Sequence, residues 1–385
     1  MLYHLTEWLK SLGIDAPGMG LMHYLSFRAM LAAVISMLIA FLAGGKIIRW
    51  LQKHQIGETI RDLGLEGQMQ KKGTPTMGGL IIIVALMGSA LLVCRLDSIY
   101  TILLMVTTLW CGGIGFADDY IKVFKHNKEG MSEKGKLILQ FGLGLVVALT
   151  VCVSPDIPTD KLVTTIPFVK AHEFDYSWLS PFRGQLGVYC SWGIYMIMII
   201  LVTLACSNGT NLTDGMDGLA TGTSAIVGVV IGVMAWLSGD VLDAQYLNIM
   251  HIPGSGEVAI FMAAFVGALI GFLWYNTFPA QVFMGDSGSL TIGGIIGVSA
   301  VLIRKELLLP LLCGIFLMES LSVIIQRTHF KYTKRKYGEG RRVFLMAPIH
   351  HHFQKKGVPE PRIVTRFWII GIILAVSTLA ILKIR

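Results

Sequence analysis

Charge is scarce in this 385-residue sequence: 15% of residues are Asp, Glu, Lys or Arg, against 54% hydrophobic, and the mean hydropathy is +0.66. A soluble domain carries about 25% charged residues, so the shortage argues against one. Other signals are missing too. The six cysteines, Cys94, Cys111, Cys152, Cys190, Cys206 and Cys313, fall mostly inside apolar runs and form no CxxC pair. Neither a zinc site nor a disulfide framework is indicated; a Cys152–Cys190 bridge on the outer face is considered and not favoured. No short apolar segment with a cleavage site opens the chain, so no removable signal peptide is expected. The order Gly-Lys-Thr of a phosphate-binding Walker loop is absent. Gly113-Ile-Gly115 lies within an apolar run rather than after a strand, which removes the dinucleotide fingerprint. The net charge of +8 reads as loop bias in a membrane protein, not as a nucleic-acid surface.

What is present is a series of apolar blocks near the ~20 residues that cross a bilayer. Ten spans are predicted, at roughly 24–45, 78–95, 98–117, 136–154, 188–206, 219–238, 258–275, 288–304, 306–325 and 367–382. Arg304-Lys305-Glu306 alone separates the eighth from the ninth. The fold expected is an all-α polytopic integral membrane protein: one domain over 1–385, a bundle of about ten transmembrane helices with its active-site cleft on the cytoplasmic face. Loops 46–77, 118–137 and 326–366 hold 22 of the 32 basic residues, which places them inside and both termini outside. Residues 2–13, with Trp8 and Lys10, are predicted to lie as an interfacial helix. The outer loop 155–187, with four prolines, is expected to hold a short hairpin around Leu162–Val169.

The most informative stretch is 207–218, Ser-Asn-Gly-Thr-Asn-Leu-Thr-Asp-Gly-Met-Asp-Gly. It sets Asp214 and Asp217 among glycines and short polar side chains, with no Lys or Arg to neutralise them. Asp118 and Asp119 end the third span, and Asp286 follows the seventh. By the loop charges, all five carboxylates share the cytoplasmic interface. An ion pathway would instead set acids within the spans. Clustered carboxylates must share protons or hold a cation, and Mg²⁺ favours carboxylate oxygen completed by substrate phosphates. Lys122, one helical turn beyond Asp119, suits a phosphate clamp. Lys125, Lys128 and Lys136 read as ordinary inside charge. His350, His351 and His352 lie in a basic segment and are taken as phosphate or sugar contacts; three adjacent residues on a helix do not share the face a metal would need. Lys71 and Lys72, with Thr74, Thr76 and the amides before the second span, suit an anion.

Five motifs, in order, carry a family resemblance: Lys-Gly-Thr-Pro-Thr-Met-Gly-Gly (72–79), Ala-Asp-Asp-Tyr-Ile-Lys (117–122), Asn-Leu-Thr-Asp-Gly-Met-Asp-Gly-Leu (211–219), Phe-Met-Gly-Asp-Ser-Gly-Ser (283–289) and Ala-Pro-Ile-His-His-His-Phe (347–353). The chain resembles the phospho-N-acetylmuramoyl-pentapeptide-transferase family of bacterial peptidoglycan synthesis, within the polyprenyl-phosphate N-acetylhexosamine-1-phosphate transferase superfamily. The acidic motifs point to the superfamily, and the histidine run narrows it to this branch. The resemblance implies a multi-pass protein of the bacterial cytoplasmic (inner) membrane, with its site on the cytoplasmic face. Its substrates would be UDP-N-acetylmuramoyl-pentapeptide and undecaprenyl phosphate, its products lipid I and UMP. Membrane lipid surrounds it, no nucleic acid is bound, and a homodimer is kept open as its assembly. Mg²⁺ would be held by Asp286, Asp118, Asp119 and Asp214. Catalysis would engage Asp118, Asp119, Asp286, Asp214, Lys122, His350, His351 and His352. Donor contacts would come from Lys71, Lys72, Thr76, Asn211, Gly215, Met216, Asp217, Asn276 and Phe283, with Phe283 on uracil. Met216 stands where Leu is common.

A phosphate monoester has a second pKa near ~6 and is mostly dianionic at neutral pH, so it needs little help from a base. Direct attack, with Asp118 orienting or deprotonating the lipid phosphate, is therefore expected over an Asp119 phospho-enzyme. The competing readings are a UDP-N-acetylglucosamine–polyprenyl-phosphate sugar-phosphate transferase and, outside enzymes, an ion-coupled transporter. A purely structural scaffold gives no reason for five interfacial acids.

Overall fold

The computed structural model describes residues 1–14, 17–54, 73–125, 130–157, 162–167 and 173–382. Every predicted apolar block is helical within them. The helices are α1 (Leu2–Ser11), α2 (Leu25–His54), α3 (Gly79–Val93), α4 (Ile99–Phe124), α5 (Glu133–Val153), α6 (Gly184–Thr213), α7 (Leu219–Gly239), α8 (Val241–Leu247), α9 (Gly256–Asn276), α10 (Gly285–Leu302), α11 (Leu309–Leu312), α12 (Gly314–Tyr337), α13 (Ile349–Lys355) and α14 (Glu360–Ile381). Among the described residues, eight helices are long and apolar enough to span a bilayer. The segments Glu306–Leu312 and Gly314–Tyr337 make a ninth only if taken together across their 77° bend. The second predicted span is the shorter apolar helix Gly79–Val93. The protein is thus an all-α multi-pass membrane protein.

Helix α10 is the centre. In its most apolar window 89% of residues are buried, against 28% for α2 and α6, which face outward. Its composition explains the placement. Gly293, Gly294 and Gly297 present no side chain where α4 and α6 pack closest, against Cys111, Cys206 and Ser207. Small-residue faces let helix backbones approach where no hydrophobic drive separates helix from lipid. Gly267 and Gly271 of α9 do the same against Ala33, Met37 and Ala40 of α2, as their spacing suggests. A polar lock ties α5, α6 and α10: Gln140 Nε2 donates to Ser207 Oγ at 3.1 Å, Asn208 Nδ2 donates to Gln140 Oε1 at 2.9 Å, and Ser207 Oγ donates to the Leu290 carbonyl at 3.2 Å.

At the end of α10 remote from Asp286, the outer loop forms the expected hairpin, β1 (Val163–Thr165) antiparallel to β2 (Glu173–Asp175); Phe168 and Val169 of the predicted stretch lie outside the described residues. The hairpin covers Arg304-Lys305-Glu306. Thr165 N and Thr164 Oγ1 donate to the Arg304 carbonyl, Lys305 Nζ donates to Thr165 Oγ1 at 2.7 Å, and Tyr176 OH donates to Glu306 Oε1 at 3.0 Å. The side chains that made this span boundary soft in sequence are therefore buried, with Lys305 on the Thr165 hydroxyl and Glu306 on the Tyr176 hydroxyl. Cys152 and Cys190 are free thiols, so the bridge considered between them is absent.

A second buried charge pair joins α2 and α9. Arg28 reaches Glu257 through two nitrogens, at 2.7 and 2.8 Å, and Arg95 N donates to Glu257 Oε2 at 3.0 Å. Both side chains are buried. Breaking a buried pair by removing one partner costs about 3–5 kcal/mol, while replacing both by apolar groups is often neutral. Glu257→Ala is expected to lower the thermal midpoint in detergent sharply, and Arg28→Met with Glu257→Leu to restore most of it; equal loss in both variants would contradict the pairing argument.

Candidate active site

Three helix ends converge at the opposite end of α10. Asp118 and Asp119 sit on the last turns of α4, Lys136 on the first turn of α5, and Asp286 on the first turn of α10. Ligand oxygens of Asp118, Asp119 and Asp286 all lie within 4.8 Å of one another. That closeness requires positive charge, and two lysines supply it. Lys122 Nζ stands 2.6 Å from Asp118 Oδ2 and 3.1 Å from Asp286 Oδ2; Lys136 Nζ stands 2.8 Å from each. The structure corrects the reading of Lys136 as ordinary inside charge. Sequence spacing could not link residue 136 to 286, because only the α4–α5 turn brings them together.

The helix terminus adds further stabilisation. The first N–H groups of a helix lack intrahelical partners and favour an anion. Asp119 Oδ1 accepts from Asp286 N at 3.1 Å and Asp119 Oδ2 from Ser287 N at 2.9 Å. Asp119 is thus a buried cap on α10, and it fixes where Asp286 stands. Gly285 has φ +73°, and any Cβ there would crowd Asp119 and Thr76, so the Gly-Asp-Ser order follows from the turn. Asp118 Oδ1 accepts from Met131 N at 2.6 Å, tying the residues just before α5 to the site. Asn211 of α6 donates to Asp286 Oδ1 and to Ser289 Oγ, both at 2.9 Å. Expected as a donor contact, Asn211 here orients the carboxylate. Asp214 follows as the C-cap of α6, outside the group of three.

Several of the expected nucleotide residues that are described tie together the loops at the ends of α6, α9 and α10. Phe283 N donates to the Pro75 carbonyl, and Gly78 N and Gly79 N donate to the Phe283 and Met284 carbonyls. This backbone clamp sets Phe283 and Thr76 at one edge. Asn276 Oδ1 accepts from Gly218 N and Thr221 Oγ1, and its Nδ2 donates to the Val282 carbonyl. Asp217 Oδ2 accepts from Ala280 N at 3.0 Å, while Asp217 N donates to Glu360 Oε1 at 2.8 Å. Asn276 and Asp217 are buried, as is Met216, and Gly215 is exposed. Lys71, Lys72 and Lys128 lie outside the described residues.

The three histidines divide, as adjacent residues on a helix must. His350 is fully buried, with Nδ1 3.0 Å from Glu319 Oε2 on α12. His351 Nδ1 contacts Gln354 Oε1 at 3.1 Å. His352 Nδ1 accepts from Leu345 N at 3.1 Å. Desolvation and the nearby Lys356 hold the His352 imidazole below its usual pKa, which agrees with that acceptor role. Glu319 and Glu360 escaped the sequence reading. Their signal was an isolated acid at an apolar helix face, which ordinarily marks a buried or functional position in a membrane protein.

The sequence profile described as Glycosyl transferase family 4 matches residues 101–304, and that described as Phospho-N-acetylmuramoyl-pentapeptide-transferase signature 1 matches residues 71–83. Three relatives named phospho-N-acetylmuramoyl-pentapeptide-transferase align over 100% of both chains: that of Parabacteroides distasonis is 53% identical, that of Flavobacterium psychrophilum 52%, and that of Porphyromonas gingivalis 50%. With full-length identity of this order, the chain belongs to the phospho-N-acetylmuramoyl-pentapeptide-transferase family.

Proposed function

We propose that this chain, acting as one transferase domain, moves phospho-N-acetylmuramoyl-pentapeptide from its UDP-linked donor to undecaprenyl phosphate, giving lipid I and UMP. The family membership supports the reaction. The observation that supports the assignment of the site is the carboxylate triad of Asp118, Asp119 and Asp286 under two shared lysines. The excess of Lys and Arg on the connecting loops supports setting that end of the bundle in the cytoplasm of a bacterial inner membrane. All these side chains come from one chain, so the reading needs no second copy.

Mg²⁺ fits the donor set: three hard carboxylate oxygens from three residues, drawn together beyond what their own charges favour. Asp286, Asp118 and Asp119 would hold it, with Asp214 close by in sequence to the Asn211 that orients Asp286. When bound it supplies positive charge against the diphosphate of the donor. The chain's residues do the rest. An oxygen of the lipid phosphate attacks the phosphorus that carries the sugar; the bond from that phosphorus to the bridging oxygen breaks, and the oxygen leaves with UMP. Asp118 orients the incoming phosphate. Lys122 and Lys136 exchange carboxylate for phosphate contacts as charge moves to the leaving group, which is where positioned cations matter most. His350 to His352 and Phe283 border the donor. Asp119 suits support better than attack, because both of its oxygens accept amides of α10 and the side chain is buried.

Two measurements test the reading. Purified protein given Mg²⁺ and both substrates is expected to release UMP, with UDP-N-acetylglucosamine a poor competitor. Asp286→Asn should lower turnover by about 100- to 1000-fold, the usual loss for one charge-stabilising group. Equal use of the two UDP-sugars would favour the sister class, and no UMP release would favour a transporter. Without lipid acceptor, labelled UMP should not exchange into the donor; rapid exchange would establish a phospho-enzyme and overturn direct attack.

A further inference from the structure

Glu319, buried beside a histidine that borders the donor, has no part in the reaction as set out above. Glu319 and His350 are both fully buried, 31 residues apart on α12 and α13, and joined at 3.0 Å through Nδ1. A carboxylate accepts hydrogen bonds, so Nδ1 carries the proton of this contact. The other ring nitrogen, Nε2, is buried without a hydrogen-bond partner. It lies against Gly215, where a Cβ would overlap it, and Gly215 is itself exposed on the acidic loop. Buried polar atoms are nearly always paired. One that is held by a second buried polar group, beside an exposed glycine, has its partner still to come.

We propose that Glu319 is the positioning residue of His350, holding the imidazole so that Nε2 is presented at the 214–216 loop to a phosphate oxygen of the donor. This rests on the functional reading above, in which His350 to His352 border the donor. Two local features follow from it. Gly215 is small because the ring passes beneath it. The three adjacent histidines differ in what meets Nδ1: a buried carboxylate at His350, the Gln354 amide oxygen at His351 and the Leu345 N–H at His352. Metal-site histidines are oriented by carboxylates in the same way, and losing that support typically costs about 10- to 100-fold in function.

The test is a double-mutant cycle on the full-length protein in detergent, with kcat and KM for both substrates and a thermal midpoint for each variant. Glu319→Leu should lower kcat about 10- to 100-fold with little change in KM. Glu319→Gln keeps an acceptor for Nδ1–H and should recover most of the rate. In a His350→Gln background, Glu319→Leu should cost nothing further, because residues acting as a unit are not additive. A merely structural role would lower the rate equally in both backgrounds and move the midpoint in step, which would overturn the inference. So would wild-type turnover by Glu319→Leu, or a Glu319→Gln variant no better than Glu319→Leu. Wild-type protein that releases no UMP would instead sink the functional reading on which the inference rests.

Discussion

Three carboxylates within 4.8 Å of one another are the constraint to which the rest of the molecule answers. Left alone, such a group would drive protons onto itself or push its helices apart. The fold offsets it in three ways. Lys122 and Lys136 are each shared between Asp118 and Asp286. The N-terminus of α10 turns two backbone amides onto Asp119. Asn211 donates a third neutral contact to Asp286. The cluster is thus stable as it stands, while its cations remain movable side chains that can turn to a phosphate.

Holding it requires a helix that begins at the site and is enclosed along its length. Helix α10 meets that need because its glycines let α4 and α6 close on it, and because Gln140, Ser207 and Asn208 satisfy one another between α5 and α6. At the far end, the hairpin over Arg304, Lys305 and Glu306 covers the end of the same helix. The 155–187 loop, silent on catalysis in the sequence, thus has its described contacts at the end of α10 remote from the site.

Much of this was legible in sequence. The apolar blocks gave the helices, since little else can fold in lipid, although the second is a shorter helix and the ninth is broken by a 77° bend. The meeting of Asp118, Asp119 and Asp286 was legible because both motifs follow span ends, while Asp214 and Asp217, read with them, lie outside the group of three. What escaped was what depends on tertiary contact. Lys136 looked like any inside lysine until α5 folded back on α4. Asn276, Asp217 and Asn211 looked like ligand contacts, yet their polar atoms also tie the loops on which the ligand would rest. Glu319 lies within a helix rather than at a span end, and its partner is 31 residues further on, which spacing alone does not reveal. Arg28 and Glu257 were missed for the same reason, being 229 residues apart.

The most direct test of the central claim, that the triad forms the cation site, is a Mn²⁺ titration followed by electron paramagnetic resonance, with the protein in lipid nanodiscs. Wild-type protein is expected to bind one Mn²⁺ that Mg²⁺ displaces, and Asp286→Asn to lose that binding while keeping its thermal midpoint. Unchanged Mn²⁺ binding by Asp286→Asn would place the cation elsewhere and contradict the account.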